Sequence, residues 1–127
     1  MCNELYKNSE VNMPLYDYLL ERQEKGEEFI LLSNCSSMVL EGKKVWLAKN
    51  MPLLRFKEFF GTSIDISKTE VMIYYAELHP EKDILFIDDS CHERWSAEAA
   101  GIKTLNPQLL MLRQYQKNNL KIGNTNV

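Results

Sequence analysis

One segment of this chain, residues 84–90, restricts the possible folds more than any other. Its four large apolar residues lead directly into two carboxylates, Asp88 and Asp89, which Ser90 follows. A continuous apolar run of this length is typical of a strand buried on both faces of a parallel sheet. Acids at the carboxyl end of such a strand lie where open α/β sheets bind ligands. Because adjacent carboxylates repel each other, we expect a divalent cation, in the simplest case Mg²⁺, between them.

Predicted strands and helices alternate along the rest of the chain. Short apolar runs predict strands at 29–32, 56–60, 84–88 and 103–105. Capping residues, apolar periodicity and Gly or Pro stops predict helices at 14–25, 37–49, 68–79, 91–100 and 108–118. This order predicts right-handed crossovers and a doubly wound parallel sheet with helices on both faces, a Rossmann-like three-layer α/β fold.

Length and composition limit the class of protein. With 127 residues, 45% of them hydrophobic, we expect a single domain, 1–127, with a polar arm at 1–12 and a polar tail at 119–127. A net charge of −3 makes nucleic acid an unexpected partner. Since no apolar run is long enough for a membrane span and no signal-peptide core begins the chain, we expect a cytoplasmic protein without a membrane partner.

Three polar groups fall at the predicted ends or starts of successive elements. Ser33 and Asn34 follow the first strand, Lys68 opens a helix, and the acid pair follows the third strand. A hydroxyl and an ammonium bind phosphate oxygens, while paired carboxylates hold Mg²⁺, which polarises a phosphoryl group. The combination therefore predicts a phosphate-handling site.

These groups, in this order, resemble the motifs of the haloacid dehalogenase-like (HAD) superfamily of phosphatases. The resembling segments are Phe29–Ser36, Asp65–Glu70 and Ile84–Ser90, together with the continuation Cys91–Thr104. The resemblance implies a Mg²⁺-dependent hydrolase of a small phosphorylated molecule. It implies phosphate binding by Ser33, Asn34 and Lys68, and Mg²⁺ binding by Asp88 and Asp89.

A finer resemblance concerns the substrate. Lys44, Trp46 and Leu47, then Phe60-Gly61-Thr62, are similar to a pattern in HAD phosphatases that act on nucleotide or polynucleotide phosphates. Trp95, in the helix after the acid pair, fits the same group. A nucleotide-like substrate is what this resemblance implies.

The family's catalytic nucleophile has no counterpart in this sequence. In the family it comes from a first strand ending in Asp-x-Asp-x-Thr, whereas here Asp17 and Asp65 both lack the second acid. The fold that the resemblance implies is therefore HAD-like but without its usual first central strand. Three explanations remain open: a fragment of a larger phosphatase, a degenerate member that binds ligand without catalysis, or a site completed by a partner chain or dimer or by an unrecognised residue.

Simpler interpretations exist for each polar group. The acid pair could cap a helix, Ser33 or Asn34 could cap the next one, and Lys68 could be a solvated surface residue. Cys35, Cys91 and His92 could in principle form a metal site, although three cysteines without zinc-type spacing predict reduced thiols. A plain structural α/β domain with relic acids is the corresponding interpretation of the whole chain.

Overall fold

The structure is a computed structural model that describes residues 12–63 and 65–125. In that part of the chain, five helices and four strands alternate in the predicted order. They are α1 (Met13–Glu24), β1 (Phe29–Asn34), α2 (Ser37–Asn50), β2 (Phe56–Thr62), α3 (Lys68–Leu78), β3 (Leu85–Ile87), α4 (Cys91–Ala99), β4 (Lys103–Leu105) and α5 (Gln108–Thr125). The predicted polar arm lies outside the described residues except for Asn12, as do residues 126–127 of the predicted tail.

Local signals account for where the first helix begins and ends. The side chain of Asn12 accepts a hydrogen bond from the amide of Leu15 at 3.0 Å, which satisfies one of the free amides of the first turn of α1. Gly26 follows the helix with φ of 89°, a conformation that only glycine adopts easily, and so stops it.

The last helix is longer than the sequence predicts. Instead of ending near residue 118, α5 continues to Thr125 through residues predicted as a polar tail. No proline interrupts it, and its first glycine is Gly123. Among the described residues, no helix combines the length and the apolar character needed to cross a lipid bilayer.

The strands form two separate parallel pairs. β1 pairs with β2 through the crossover helix α2, and β3 pairs with β4 through α4. Parallel pairing is therefore confirmed, and the protein is mixed α/β. Within the described residues β1 has no other strand partner than β2, and β3 none other than β4. The three-layer Rossmann-like sheet stays a prediction.

Contacts divide the chain into two units, Met1–Tyr74 and Tyr75–Val127, with the boundary inside α3. In the first unit, the core cluster consists of Tyr16 from α1 with Met51 and Leu54 from the segment before β2. Partly buried apolar side chains pack against this cluster: Leu19, Leu20, Phe29, Trp46, Leu47 and Phe56. The core of this unit therefore joins α1, β1, α2 and β2.

In the second unit, α4 contacts both β3 and β4. Ala97 of α4 is fully buried, and Phe86 of β3 is buried as well. The prediction that the apolar run is buried on both faces is wrong for β3, because Leu85 is 41% exposed. Successive side chains of a strand point to opposite faces, so burial on one face leaves the alternate residue open.

Hydrogen bonds tie α1 to the segment that leads into β2. The hydroxyl of Tyr16 accepts a bond from the amide of Leu53 at 3.2 Å. The side-chain amide of Gln23 donates to the carbonyl of Leu53 at 2.9 Å, and its oxygen accepts from the amide of Arg55 at 2.8 Å. These contacts satisfy backbone groups that no strand or helix pairs, and they set the entry of β2.

Replacing Tyr16 tests how much the first unit depends on this core. Tyr16→Ala removes a buried ring, and we expect a loss of about 3–5 kcal/mol in the free energy of unfolding. Tyr16→Phe keeps the ring and loses only the bond to Leu53, for an expected loss of about 1 kcal/mol. Urea unfolding followed by circular dichroism measures both. Equal losses for the two variants would contradict a packing role for the ring.

Candidate functional site

The carboxyl end of the first sheet carries buried hydroxyl groups. In the β1–β2 register, Ser33 lies opposite Gly61 and Asn34 lies opposite Thr62. Ser33 is only 3% exposed and Thr62 only 4%, whereas Asn34 is exposed. Parallel strands end at the same edge of a sheet, so the pairing itself brings these side chains to one edge.

The hydroxyl of Ser33 has a partner that the sequence did not predict. It accepts a hydrogen bond from the ammonium group of Lys43, on α2. Lys43 lies between Leu40, which is buried, and Leu47, which packs against the core. A lysine within an apolar stripe of spacing i, i+3, i+7 is the sequence signal that could have drawn attention to Lys43, although it does not indicate the contact with Ser33.

The helix that follows β1 is capped by Ser36, one of the residues that the sequence offers for this role. The hydroxyl of Ser36 accepts a hydrogen bond from the amide of Val39 at 3.4 Å and caps α2. Ser33 and Asn34 are strand residues, not caps, so the simpler interpretation of this pair is wrong. The backbones of β2 and of the residue after β1 approach closely here: a Cβ added at Gly61 would lie 3.1 Å from the carbonyl oxygen of Cys35.

Lys68 is the first residue of α3, as predicted. The hydroxyl of Ser67 caps the helix by accepting a hydrogen bond from the amide of Glu70 at 3.1 Å. The Lys68 side chain therefore has no capping role. Lys68 is half-buried and takes part in a polar interaction, and the next residue, Thr69, is buried. Lys68 is therefore partly covered, and its role in binding phosphate stays a prediction.

The acid pair follows β3 in a tight turn. Asp88 continues the β3–β4 ladder by donating its amide to the carbonyl of Leu105 at 3.3 Å. One carboxylate oxygen of Asp88 accepts a hydrogen bond from the amide of Ser90 at 2.8 Å. The side chain of Ser90 in turn caps α4. Arg94 holds the turn from the helix side, because its guanidinium donates to the carbonyl of Asp88 at 2.8 Å. The helix cap is thus Ser90 and neither acid.

The two acids differ in exposure, and both have the chemistry of a metal ligand. Asp88 is half-buried and fixed by the amide of Ser90, while Asp89 is exposed. Carboxylates are hard oxygen ligands, and Mg²⁺ usually takes one or two of them and keeps several waters. The donor chemistry of the pair therefore fits Mg²⁺. Among the described residues, no three His, Cys, Asp or Glu side chains are grouped as metal ligands.

The five predicted site residues are divided between the two units. Ser33, Asn34 and Lys68 belong to the first unit, and Asp88 and Asp89 belong to the second. Within each unit the predicted residues lie where the sequence indicated, at a strand end or a helix start. Their convergence on one cleft stays a prediction.

The two tryptophans have different surroundings. Trp46 packs against the core of the first unit, and within the described residues its buried indole nitrogen has no hydrogen-bond partner. Trp95 is 59% exposed on α4, and the ring of His92 meets it edge-on at 5.5 Å between centroids. Trp46 is thus a packing residue, while the Trp95 ring is open to a flat partner.

An open groove of about 360 Å³ lies at the opposite end of the first sheet from Ser33. Its lining includes Phe29 and Phe56, the first residues of β1 and β2. Two of its charged residues, Glu28 and Lys57, pair with each other at 3.1 Å. This pairing compensates the charges of Glu28 and Lys57, and the groove is also lined by Glu27 and Arg55.

Comparison with protein-family models, with curated proteins and with solved structures found no match for this chain. The functional case therefore depends on the chemistry and placement of the residues described above.

Proposed function

We propose that this chain is a HAD-like, Mg²⁺-dependent phosphomonoester hydrolase domain that is incomplete or inactive by itself. One observation carries the proposal: Ser33 and Asn34 end β1, Lys68 opens α3, and Asp88 and Asp89 directly follow β3. Each group therefore lies at a strand end or a helix start, where α/β proteins bind ligands. The polar groups also follow the order of the motifs in the resembling family.

Different residues would bind the phosphate group and the metal ion. The ammonium of Lys68 and the hydroxyl of Ser33 are donors for phosphate oxygens, and the Asn34 amide adds a donor at the same strand end. Asp88 and Asp89 would hold Mg²⁺, with Asp88 oriented by the Ser90 amide. When bound, Mg²⁺ supplies positive charge that polarises the phosphoryl group.

Incompleteness is supported by both the sequence and the sheet pairing. No aspartate in the chain belongs to an Asp-x-Asp motif, so the family's carboxylate nucleophile has no counterpart. In the resembling family, the strand that carries it lies between the counterparts of β1 and β3. Two separate strand pairs, β1–β2 and β3–β4, are what a chain without that strand would form. A partner chain, a dimer or a further segment would then supply it.

The second candidate is a non-catalytic HAD-like module that binds a phosphorylated ligand or a protein partner. The missing nucleophile favours it, since binding needs only the donors and the metal acids. For either candidate, a nucleotide-type ligand is supported by the exposed ring of Trp95, on which a base could stack.

Magnesium binding separates both candidates from a plain structural domain. We expect Mg²⁺ to raise the melting temperature of the full chain, because a ligand that binds only the folded state stabilises it by about 2.7 kcal/mol at a hundred times its Kd. Asp89→Asn should abolish the shift. The matched control is Asp83→Asn, which neutralises an exposed acid just before β3 in the same unit. If millimolar Mg²⁺ gives no shift, or if the control loses it too, the metal assignment is wrong.

Hydrolysis of p-nitrophenyl phosphate tests whether the catalytic site is incomplete in this chain alone. We expect the chain alone to show no Mg²⁺-dependent turnover, because it has no carboxylate nucleophile of the family type. Turnover that Asp89→Asn abolishes would mean that an unrecognised residue or a second copy completes the site. Turnover that persists in Asp89→Asn would show that the assignment of the acid pair is wrong.

A further inference from the structure

The contact between Lys43 and Ser33 places an ammonium group at the carboxyl end of β1. Lys43 is half-buried, and Ser33 is almost fully buried. A lysine in such surroundings loses part of its hydration, which costs free energy unless polar contacts compensate. The hydroxyl of Ser33 is one such contact, and it fixes the direction of a side chain that is otherwise flexible.

The position of Lys43 along α2 explains how it reaches the strand end. Side chains of a helix tilt toward its N-terminus, so a long side chain covers the turn before its own Cα. The helix begins at Ser37, just after β1 ends at Asn34. Lys43, in the second turn, therefore extends back toward the edge from which the helix started.

The neighbouring lysine serves a different purpose. The ammonium of Lys44 pairs with the carboxylate of Glu41 at 2.9 Å and lies 5.1 Å from the centre of the Phe59 ring. It is thus a surface cation held by an acid of its own helix, and it makes an internal control for any effect of charge alone.

The groups around Lys43 are suited to an anion. Ser33 contributes its hydroxyl to this edge, while Thr62 lies on the opposite face of the sheet. The helix α2 begins three residues after β1, and the amides of a first helical turn have no partner within the helix. A hydroxyl, amides and an ammonium together complement a ligand with several acceptor oxygens and negative charge. A tetrahedral phosphate group has both properties.

We propose that Lys43, positioned by Ser33, is a phosphate-binding residue of this chain, with inorganic phosphate and phosphate monoesters as its ligand class. The inference rests on the proposed function for the location of the site, but it requires neither Mg²⁺ nor turnover. It adds Lys43 to the phosphate-binding residues that the sequence indicated.

The test is a titration of the full chain with inorganic phosphate, without Mg²⁺, by isothermal calorimetry. The wild-type chain should bind, and Lys43→Gln should weaken binding by about tenfold or more, as expected for the loss of a charge-assisted hydrogen bond. Lys43→Arg keeps the charge and should restore most of the affinity. Lys44→Gln removes the same charge one residue away and should leave the Kd unchanged.

Three results would overturn the inference: no phosphate binding by the wild-type chain, an unchanged Kd in Lys43→Gln, or an equal loss in Lys44→Gln. If Lys43→Gln does not fold, as judged by circular dichroism, Ser33→Ala replaces it. That variant removes the hydroxyl and keeps the cation, and it should weaken phosphate binding while Lys44→Gln does not. An unchanged Kd in Ser33→Ala would then count against the inference.

The failure of this inference can be told apart from the failure of the proposed function. Phosphate binding that depends on Lys43, in a chain without Mg²⁺ binding, would refute the proposed function alone. Mg²⁺ binding that depends on Asp89, in a chain without phosphate binding, would refute this inference alone.

Discussion

The parallel pairing of β1 with β2 is the constraint on which the polar chemistry of the first unit depends. Since parallel strands end at a common edge, Ser33 and Asn34 reach that edge beside Gly61 and Thr62. The crossover helix α2 must start at the same edge, because the chain leaves β1 there. Its side chains tilt toward its own start, and Lys43 therefore reaches Ser33. No local motif specifies this grouping; chain direction does.

The number of paired strands is a second constraint on the fold. Parallel sheets are usually covered on both faces and contain several strands, whereas each sheet within residues 12–63 and 65–125 has two. The apolar residues of β1 from Phe29 to Leu32 are only half-buried, and Leu85 of β3 is exposed. A sheet that gained a strand would bury more of this surface. The exposed apolar surface of the strands therefore supports the proposal of an incomplete domain, as the missing nucleophile motif does.

Local chemistry explains why much of the fold could be predicted. Each helix start is fixed by a side chain within three residues of the amide that it caps, as with Ser36, Ser67 and Ser90. Apolar runs located all four strands, although their ends shifted by up to two residues. The burial of the third strand was predicted wrongly, because burial depends on what covers each face and not on the run itself.

The candidate site was only partly predictable for the same reason. Ser33, Lys68 and the acid pair could be identified because strand ends and helix starts are marked in the sequence. Lys43 could not be identified in this way, since its partner lies ten residues away across a strand and a helix. The simpler roles for Ser33 and Asn34 as caps were excluded only when Ser36 was found to cap α2.

The sequence by itself determined the order of elements, their caps and the placement of hydroxyl, lysine and acids at element ends, because these depend on short-range hydrogen bonds and apolar runs. Only the tertiary structure decided which strands pair, which faces are covered and which cation contacts Ser33. These properties arise from backbone pairing and packing between segments far apart in the chain, and no local pattern encodes them.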